Sequence, residues 1–335
     1  MSNEAVSFSL EECAGIEQSI DFLIACVSFE DRCTTLCKYL KEKGRVKGVF
    51  LYMNTDVSVF NNPDEKLQCD SAIKSNLMHI QNHLDSISAH YRLLESKHRV
   101  LSEKMVAIRT LMSELNSAIT TSRETETIGV DATCFTRLDL LILLDYLYDY
   151  FPDKTIRIIY TRPSDHAKDW LTRGYSGIES ILGYAGSYDY LKKTLLVILS
   201  GFEEERPRNF IDEYEADDIL FGTSGKKPTK EVFGERALRV QSKFLNADNI
   251  KPFNFSADSI HKCFEDLETT LSPYLSDYNI VIAPLCTKLS VIASFLIAKK
   301  YPQIQLAYCY PKEYNWKEYS IGMDKVYIED IERVT

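Results

Sequence analysis

The sequence lacks the motifs that mark the best-known nucleotide-binding and catalytic sites. It has no Gly-x-Gly-x-x-Gly fingerprint and no Walker phosphate loop. Four of its six histidines lie between residues 79 and 98, so a Ser-His-Asp or Cys-His set at a sheet has few candidates. Its nine cysteines form no Cys-x-x-Cys pair, and we expect reduced, buried thiols and no metal site. No cofactor follows from these patterns.

The sequence also lacks long apolar runs and an excess of basic residues. No run approaches the roughly 18 apolar residues that a membrane helix needs. The opening MSNEAVSFSLEEC does not follow the charged-then-apolar pattern of a signal peptide. We therefore expect a cytoplasmic protein with no membrane partner. The 39 basic and 49 acidic residues give a net charge of −10, which disfavours broad nucleic-acid binding because phosphate contacts need local cations.

The 335-residue sequence contains one set of motifs in two copies. An apolar run precedes Ser28-Phe29-Glu30-Asp31-Arg32, and a second apolar run precedes Gly201-Phe202-Glu203-Glu204-Glu205-Arg206. Each copy later has an apolar run followed by a threonine and a cation, namely Thr136-Arg137 and Thr287-Lys288. Each copy is followed by a tryptophan and a Tyr-Ser pair, Tyr175-Ser176 after Trp170 and Tyr319-Ser320 after Trp316. The repetition predicts an internal duplication.

The apolar runs predict an α/β fold. They are rich in Ile, Val and Leu without clean alternation, as in strands that helices cover on both faces. Helical segments separate them, which favours a mostly parallel sheet. We predict two Rossmann-like repeats, residues 1–163 and 193–335, joined by a Gly/Tyr-rich connector at 164–192. That connector is either a flap that covers a ligand or an ordinary linker.

Residues 64–122 carry a second pattern. No proline or glycine lies between Pro63 and Gly129. Apolar residues recur at heptad spacing along the segment: Leu77, Leu84, Tyr91, Met105, Met112 and Ile119 at one seam position, and Ile80, Ile87, Leu94, Leu101, Ile108 and Leu115 at the other. This spacing predicts an inserted coiled-coil arm. Residues 70–120 either fold back as a hairpin with its tip at 95–98, which we favour, or pair with a second chain. In both cases the arm would contact a protein partner or a second copy.

The repeated motifs fall where a parallel sheet binds its ligands, beyond the carboxyl ends of the strands. Thr136 and Thr287 can cap helices whose first amides, together with Arg137 and Lys288, suit a phosphate. Glu30, Asp31 and Arg32, and in the other copy Glu203 and Glu204, could bind ribose hydroxyls, hold a metal or act as a base. They could equally complement a helix dipole. Asp131 ends a strand at the same edge, where the other copy has Ile282.

The segment NIVIAPLCTKLSVIASFLIAKKYP resembles the final strand-helix unit of CARF-type sensor domains, which are Rossmann-like domains of CRISPR-associated proteins. Thr287-Lys288 matches the family's Gly-Thr-Lys turn, with Cys286 in the glycine position, and Thr136-Arg137 echoes it. The resemblance implies binding of a nucleotide-like second messenger in prokaryotic antiviral defence.

Three functions are compatible with these patterns. The leading hypothesis is a sensor that binds a phosphorylated, nucleotide-like molecule between its two halves, with Tyr175, Ser176, Tyr319 and Ser320 near the ligand. The alternative is a metal-dependent nucleotide or nucleic-acid hydrolase that uses Asp131 with Glu30 or with Glu203 and Glu204. The third is an adaptor that acts through the coiled coil on an inert α/β scaffold. Whether the protein is an enzyme stays open at this point.

Overall fold

A computed structural model describes residues 6–9, 20–40, 46–55, 58, 60, 62–97, 99–119, 126–224 and 231–334. The chain divides into two compact units. The first unit comprises Val6–Thr172 and Glu313–Ile331. The second unit comprises mainly Arg173–Lys312.

The first unit is built on a seven-stranded sheet. Its strands are β1 (Val6–Ser9), β2 (Phe22–Val27), β3 (Gly48–Thr55), β4 (Tyr91–Lys97), β5 (Thr127–Asp131), β6 (Thr155–Thr161) and β13 (Lys325–Asp330). The order across the sheet is β1-β13-β6-β5-β2-β3-β4. The five strands from β6 to β4 are parallel, whereas β13 runs antiparallel to β6 and β1 antiparallel to β13.

The helices of the first unit connect its parallel strands. They are α1 (Leu36–Tyr39), α2 (Pro63–Ser86), α3 (Leu101–Ile119) and α4 (Arg137–Tyr150). A short 3₁₀ turn at Asp31–Thr35 precedes α1, which has four residues. In α4, eight of fourteen residues are buried, among them the run from Leu138 to Leu144. A helix buried on most of its surface needs apolar residues all round, and this one has them.

The second unit repeats this plan on a six-stranded sheet. Its strands are β7 (Thr172–Ser180), β8 (Lys193–Leu199), β9 (Asp218–Thr223), β10 (Ile250–Asn254), β11 (Tyr278–Pro284) and β12 (Gln305–Tyr314). Its helices are α5 (Glu205–Tyr214), α6 (Glu231–Phe244), α7 (Ile260–Leu271) and α8 (Lys288–Lys300). The order is β10-β9-β8-β11-β12-β7, and the five strands from β10 to β12 are parallel.

The predicted fold class is confirmed. When the parallel strands of each unit are numbered along the chain, both sheets read 3-2-1-4-5, the order of a Rossmann-like sheet. The central strands are buried on both faces, as the residues from Leu195 to Leu199 show with no exposed surface. Burying each such side chain contributes about 1.5–3 kcal/mol relative to leaving it exposed. Burial of the central strands on both faces therefore explains why the apolar runs of the sequence do not alternate with polar residues, as predicted.

The predicted coiled-coil arm is wrong. Within residues 64–122 the chain forms α2, then β4, then α3, and β4 pairs in parallel with β3 in the sheet. Residues 95–97, the predicted hairpin tip, lie inside β4, and His98 lies outside the described residues. Apolar residues at positions i, i+3, i+4 and i+7 also form the stripe with which a single helix covers a sheet. Ile80 and Leu84 are buried in this way, and Leu94 on the strand continues the spacing by coincidence.

The segment after each repeat belongs to the unit of the other repeat. Residues that follow the first repeat form β7, which lies beside β12 in the second unit. Residues that follow the second repeat form β13, which lies beside β6 in the first unit. The Gly/Tyr-rich connector at 164–192 is therefore neither a simple linker nor a free flap, because it supplies the edge strand β7. Gly174 of the connector has a positive φ of 71°, a conformation that glycine adopts without steric strain, and this explains why a glycine occupies that position.

Candidate functional site

Each sheet changes winding direction between its first and fourth parallel strands. In the first unit this switch point lies between β2 and β5, and in the second unit it lies between β8 and β11. Ligands of open α/β sheets bind in the crevice beyond the carboxyl ends at such a point. Most of the residues that the sequence singles out follow β2, β5, β8 or β11. The fold thus brings the predicted residues of each repeat to the switch point of its own unit.

A buried Glu–Arg pair lies beyond β2 in the first unit. Glu30 and Arg32 are only 8% and 4% exposed, and Arg32 Nη2 donates to Glu30 Oε2 at 2.5 Å. Arg32 Nη1 donates to the carbonyl oxygen of Thr161 at the end of β6. Burial alone lowers the pKa of Arg32, but the Glu30 carboxylate and its neighbours outweigh burial and raise that pKa. The guanidinium therefore stays charged. Asp31, between them, is exposed.

Ser320 completes this pair from a distant part of the chain. Arg32 Nε donates to Ser320 Oγ at 3.0 Å, and Ser320 Oγ donates to Glu30 Oε2 at 2.5 Å. The neighbouring Tyr319 packs edge-on against Phe29 with 6.3 Å between ring centroids. Glu30, Arg32, Tyr319 and Ser320 thus lie together in the first unit. The sequence prediction placed all four near one ligand together with residues of the second repeat, and it did not pair Ser320 with Glu30.

Asp131 lies at the carboxyl end of β5 and is 2% exposed. The Tyr39 hydroxyl donates to Asp131 Oδ2 at 2.7 Å, and the Thr133 amide donates to Oδ1 at 3.1 Å. Burial raises the pKa of Asp131, although these hydrogen bonds and Arg32 act against the rise. Asp131 is thus a buried carboxyl group with a raised pKa at the switch point of the first unit.

A buried ionic cluster that the sequence did not reveal lies under the start of α4. Lys104 on α3 and Asp139 on α4 are 1% and 0% exposed and form an ion pair. Asn54 Nδ2 donates to Asp139 Oδ2 at 2.7 Å, and the Tyr52 hydroxyl donates to Oδ1 at 3.3 Å. The available signal was positional: Lys104 precedes the buried Ala107 and Ile108 by three and four residues, which places it on the buried face of α3.

The two helix-opening threonines are N-caps, as predicted from the sequence. The Thr136 hydroxyl accepts from the Asp139 amide at 3.2 Å and donates to the Asp139 carboxylate. The Thr287 hydroxyl accepts from the Ser290 amide at 3.4 Å and donates to the Ala257 carbonyl oxygen at 2.7 Å. Both hydroxyls therefore form hydrogen bonds within their own unit. The first-turn amides and the cations that follow lie next to these hydroxyls.

Those cations are Arg137 and Lys288, each the first residue of its helix and each half-buried. Helices α4 and α8 have 14 and 13 residues, so each has a fully developed dipole with its positive end at the switch point. A cation beside such an end attracts an anion more strongly than either feature alone. The start of α8 has no carboxylate in its first turn and suits a phosphate group, whereas the start of α4 already holds the buried Asp139 carboxylate.

The acidic motif after β8 has a different arrangement in the second unit. Glu203 Oε2 lies 3.8 Å from Nε of Arg206, which is 3% exposed. Glu204 forms an exposed ion pair with Lys243. Glu205 accepts a hydrogen bond from the Gly174 amide at 3.1 Å. All three carboxylates thus have a partner within the unit, so Glu203 and Glu204 serve in ion pairs here.

Tyr175 and Ser176 lie on β7, next to this motif in the second unit. The Tyr175 hydroxyl donates to Glu213 Oε2 at 2.7 Å, and this bond raises the pKa of Tyr175 to about 12. Ser176 is exposed. The two Tyr-Ser pairs therefore lie in different units, each beside an acidic motif.

The described residues contain no group of three or more His, Cys, Asp or Glu side chains placed to hold a metal ion. The part of the chain that the structure describes also has no helix long and apolar enough to cross a bilayer. A cavity of about 450 Å³ in the first unit is lined by residues such as Phe22, Lys47 and His90, at the amino ends of β2, β3 and β4. It lies at the end of the sheet away from the predicted site.

Comparisons with known proteins add little to this geometry. No protein-family model and no curated protein matches the chain. Among solved structures, the cytoplasmic domain of a prokaryotic cation chloride cotransporter is 8% identical, over 89% of this chain and 99% of that one, with a TM-score of 0.24. A likeness at that TM-score carries no argument about fold or function.

Proposed function

We propose that the protein binds a phosphorylated, nucleotide-like ligand at the switch points of its Rossmann-like units and acts as a sensor of that ligand. One observation supports this proposal most. Both units have the 3-2-1-4-5 strand order, and both place a threonine-capped helix start with an adjacent cation after the fourth strand. An arrangement that occurs twice at the preferred ligand position of the fold is more than a routine helix cap.

The chemistry around the first-unit switch point fits the remaining parts of a nucleotide. The Glu30 carboxylate already accepts a hydrogen bond from a hydroxyl group, that of Ser320, and could accept one from a ribose. The rings of Phe29, Tyr314 and Tyr319 cluster with centroids 5.8–6.4 Å apart, and the two tyrosines are partly exposed. Aromatic faces of this kind stack with bases.

A role in prokaryotic antiviral defence is part of the proposal. Its support is the resemblance of the segment around Thr287-Lys288 to the last unit of CARF-type domains. In the structure, that segment is the strand β11 followed by the buried helix α8. The adaptor hypothesis has lost its basis, because the segment on which it depended is part of a sheet.

The sharpest test of phosphate binding is Lys288→Ala. We expect the affinity for AMP and for inorganic pyrophosphate to fall by a factor of about 10 to 150, since a hydrogen bond to a charged group contributes roughly 1.5–3 kcal/mol. Isothermal titration calorimetry measures both affinities. Lys288 is partly exposed and its loss should leave the fold intact, which circular dichroism checks.

Lys262→Ala is the matched control in the same unit. Lys262 also lies in the first turn of a serine-capped helix, α7, which follows the third parallel strand rather than the fourth. Its removal should leave both affinities unchanged. Equal losses in the two variants would show general electrostatics, and unchanged affinity in Lys288→Ala would contradict a phosphate site at α8.

A hydrolase is the second candidate, and one observation favours it. Asp131 is a buried carboxyl group with a raised pKa at the switch point. Incubating nucleotides with the protein and magnesium separates the two functions. Turnover that Asp131→Asn abolishes would establish an enzyme, whereas binding without turnover supports a sensor.

A further inference from the structure

Ser320 occupies a position on the Glu30–Arg32 pair that suits one kind of chemical group. Its oxygen accepts a hydrogen bond from Arg32 Nε and donates one to Glu30 Oε2. Among common ligand groups, a hydroxyl can accept from a guanidinium and donate to a carboxylate at the same time, which a carboxylate or an ammonium cannot do. Because Glu30 and Arg32 are more than nine-tenths buried, the protein packing fixes this arrangement.

The serine comes from the segment that crosses from one repeat to the other. We call residues 313–322 the return segment; it begins with the last two residues of β12 and leads towards β13, which pairs with β6. Its attachments to the first unit include the Tyr314 amide, which donates to Ser58 Oγ at 2.9 Å, and the ring contact between Tyr319 and Phe29. The hydroxyl of Ser320 is the part of the segment that reaches the buried pair.

We propose that Ser320 is a built-in competitor for a hydroxyl of the ligand, and that a ribose hydroxyl replaces it on Glu30 and Arg32 when a nucleotide binds. This inference rests on the proposed nucleotide-binding function, and it adds a self-occupied hydroxyl subsite to it. The partly exposed rings of Tyr314 and Tyr319 lie next to this subsite, where a base attached to that ribose could stack.

The energetic consequence distinguishes this role from a purely structural one. Replacing one hydroxyl by another on the same buried pair is nearly neutral, because the number of hydrogen bonds does not change. In Ser320→Ala the pair loses its hydroxyl partner, and a ligand hydroxyl then restores bonds that buried charged groups need. The ribose hydroxyls should therefore contribute little to affinity in the parent and much in the variant.

The experiment compares AMP with 2′,3′-dideoxy-AMP by calorimetry, in the parent and in Ser320→Ala. We expect the parent to bind both nucleotides similarly, and Ser320→Ala to bind AMP about tenfold more tightly while its affinity for the dideoxy compound stays the same. Inorganic pyrophosphate should bind the two proteins equally. Ser71→Ala is the control, since Ser71 is an exposed serine of the same unit whose hydroxyl donates to Leu67 O within α2.

The possible outcomes separate the two proposals. If AMP and pyrophosphate bind but Ser320→Ala changes neither AMP affinity nor the preference over the dideoxy compound, the hydroxyl subsite is wrong and phosphate binding stands. If neither probe binds the folded parent or variant, the proposed function fails and the subsite with it. Ser320→Cys keeps the side-chain size and weakens the hydrogen bonds, so it repeats the test with an intermediate expected gain should the alanine variant not fold.

Discussion

The two units have the same strand order, but they differ in the side chains at the switch point: the first unit buries carboxylates where the second unit buries uncharged residues. At the end of the fourth parallel strand and in the first turn of the following helix, the first unit buries Asp131 and Asp139, and at the aligned positions the second unit buries Ile282 and Ser290. Strand order and helix caps are the same in both units. A duplicated frame can therefore be kept while the side chains at its switch points diverge.

The divergence changes what each helix start requires. In the first unit the Asp139 carboxylate is fully buried and needs Lys104 and Asn54 as partners from two other elements. In the second unit the Ser290 hydroxyl donates to the Thr287 carbonyl oxygen of its own helix start, at 2.9 Å. The first switch point is thus held by a network that spans three elements, and the second by local bonds and apolar packing.

The largest expected effect comes from breaking that network. Lys104→Met removes the cation and leaves the Asp139 carboxylate buried without it. Breaking a buried pair by removing one partner typically costs about 3–5 kcal/mol. We expect a loss of that size in the free energy of unfolding, measured by urea denaturation at neutral pH.

The double variant Lys104→Met/Asp139→Ser then sharpens the comparison. It gives the first unit the neutral serine that the second unit carries at the aligned position, so no charge stays buried without a partner. We expect it to recover most of the loss, because replacing a buried ion pair by uncharged groups is often close to neutral. A double variant as unstable as Lys104→Met would show that packing of the lysine stem, and not charge pairing, is the stabilising feature.

How far the sequence predicts this molecule depends on whether a feature is local. The apolar strands and the caps Thr136 and Thr287 follow from nearby residues, and the structure confirms them. The edge strands β4 and β7 were missed because polar residues or glycines and tyrosines interrupt their apolar pattern. A strand at the edge of a sheet needs less apolar surface than a central one, so its signal is weak.

The features that depend on long-range pairing were out of reach. Nothing near Ser320 in the sequence indicates that it meets Glu30, 290 positions away. The sequence also gives no sign that β7 and β13 each join the sheet of the other repeat, since segments that are neighbours in the chain usually pack together. Lys104 was missed for a related reason: a lysine within a helix is mostly exposed. Its spacing from Ala107 and Ile108 places it on the buried face of α3, but only its partner Asp139 explains how its charge can be buried.

A smaller effect should appear as pH dependence at Asp131, which the second unit lacks. The raised pKa means that the folded state binds this proton more tightly than the unfolded chain does, so its contribution to stability falls as pH rises from about 4. Asp131→Asn cannot ionise and should gain stability relative to the parent between pH 4 and pH 7. Urea denaturation at both values measures the difference.

Asp153→Asn, at an exposed turn, is the control for this pH series. Its stability relative to the parent should not follow the same trend. If the difference between Asp131→Asn and the parent instead shifts in favour of the parent as pH rises, the hydrogen bonds from Tyr39 and Thr133 outweigh burial, and the pKa of Asp131 is lowered rather than raised.

The smallest effect should come from the Tyr-Ser pair of the second unit. Tyr175 on β7 donates to Glu213 at the surface, so Tyr175→Phe should cost only about 0.5–1 kcal/mol at pH 7. Because the pKa of Tyr175 is raised to about 12, the stabilisation is complete below the ordinary tyrosine pKa of about 10 and is lost as pH rises through 12. Several phenols should titrate late, since the pKa values of Tyr52, Tyr214, Tyr278 and Tyr301 are raised as well. Ultraviolet titration should show one fewer late-titrating phenol in Tyr175→Phe and the same number in Tyr188→Phe, which changes an exposed position. A loss as large as that of Lys104→Met would mean that the exchanged strand β7, and not the buried network of the first unit, dominates the stability of the chain.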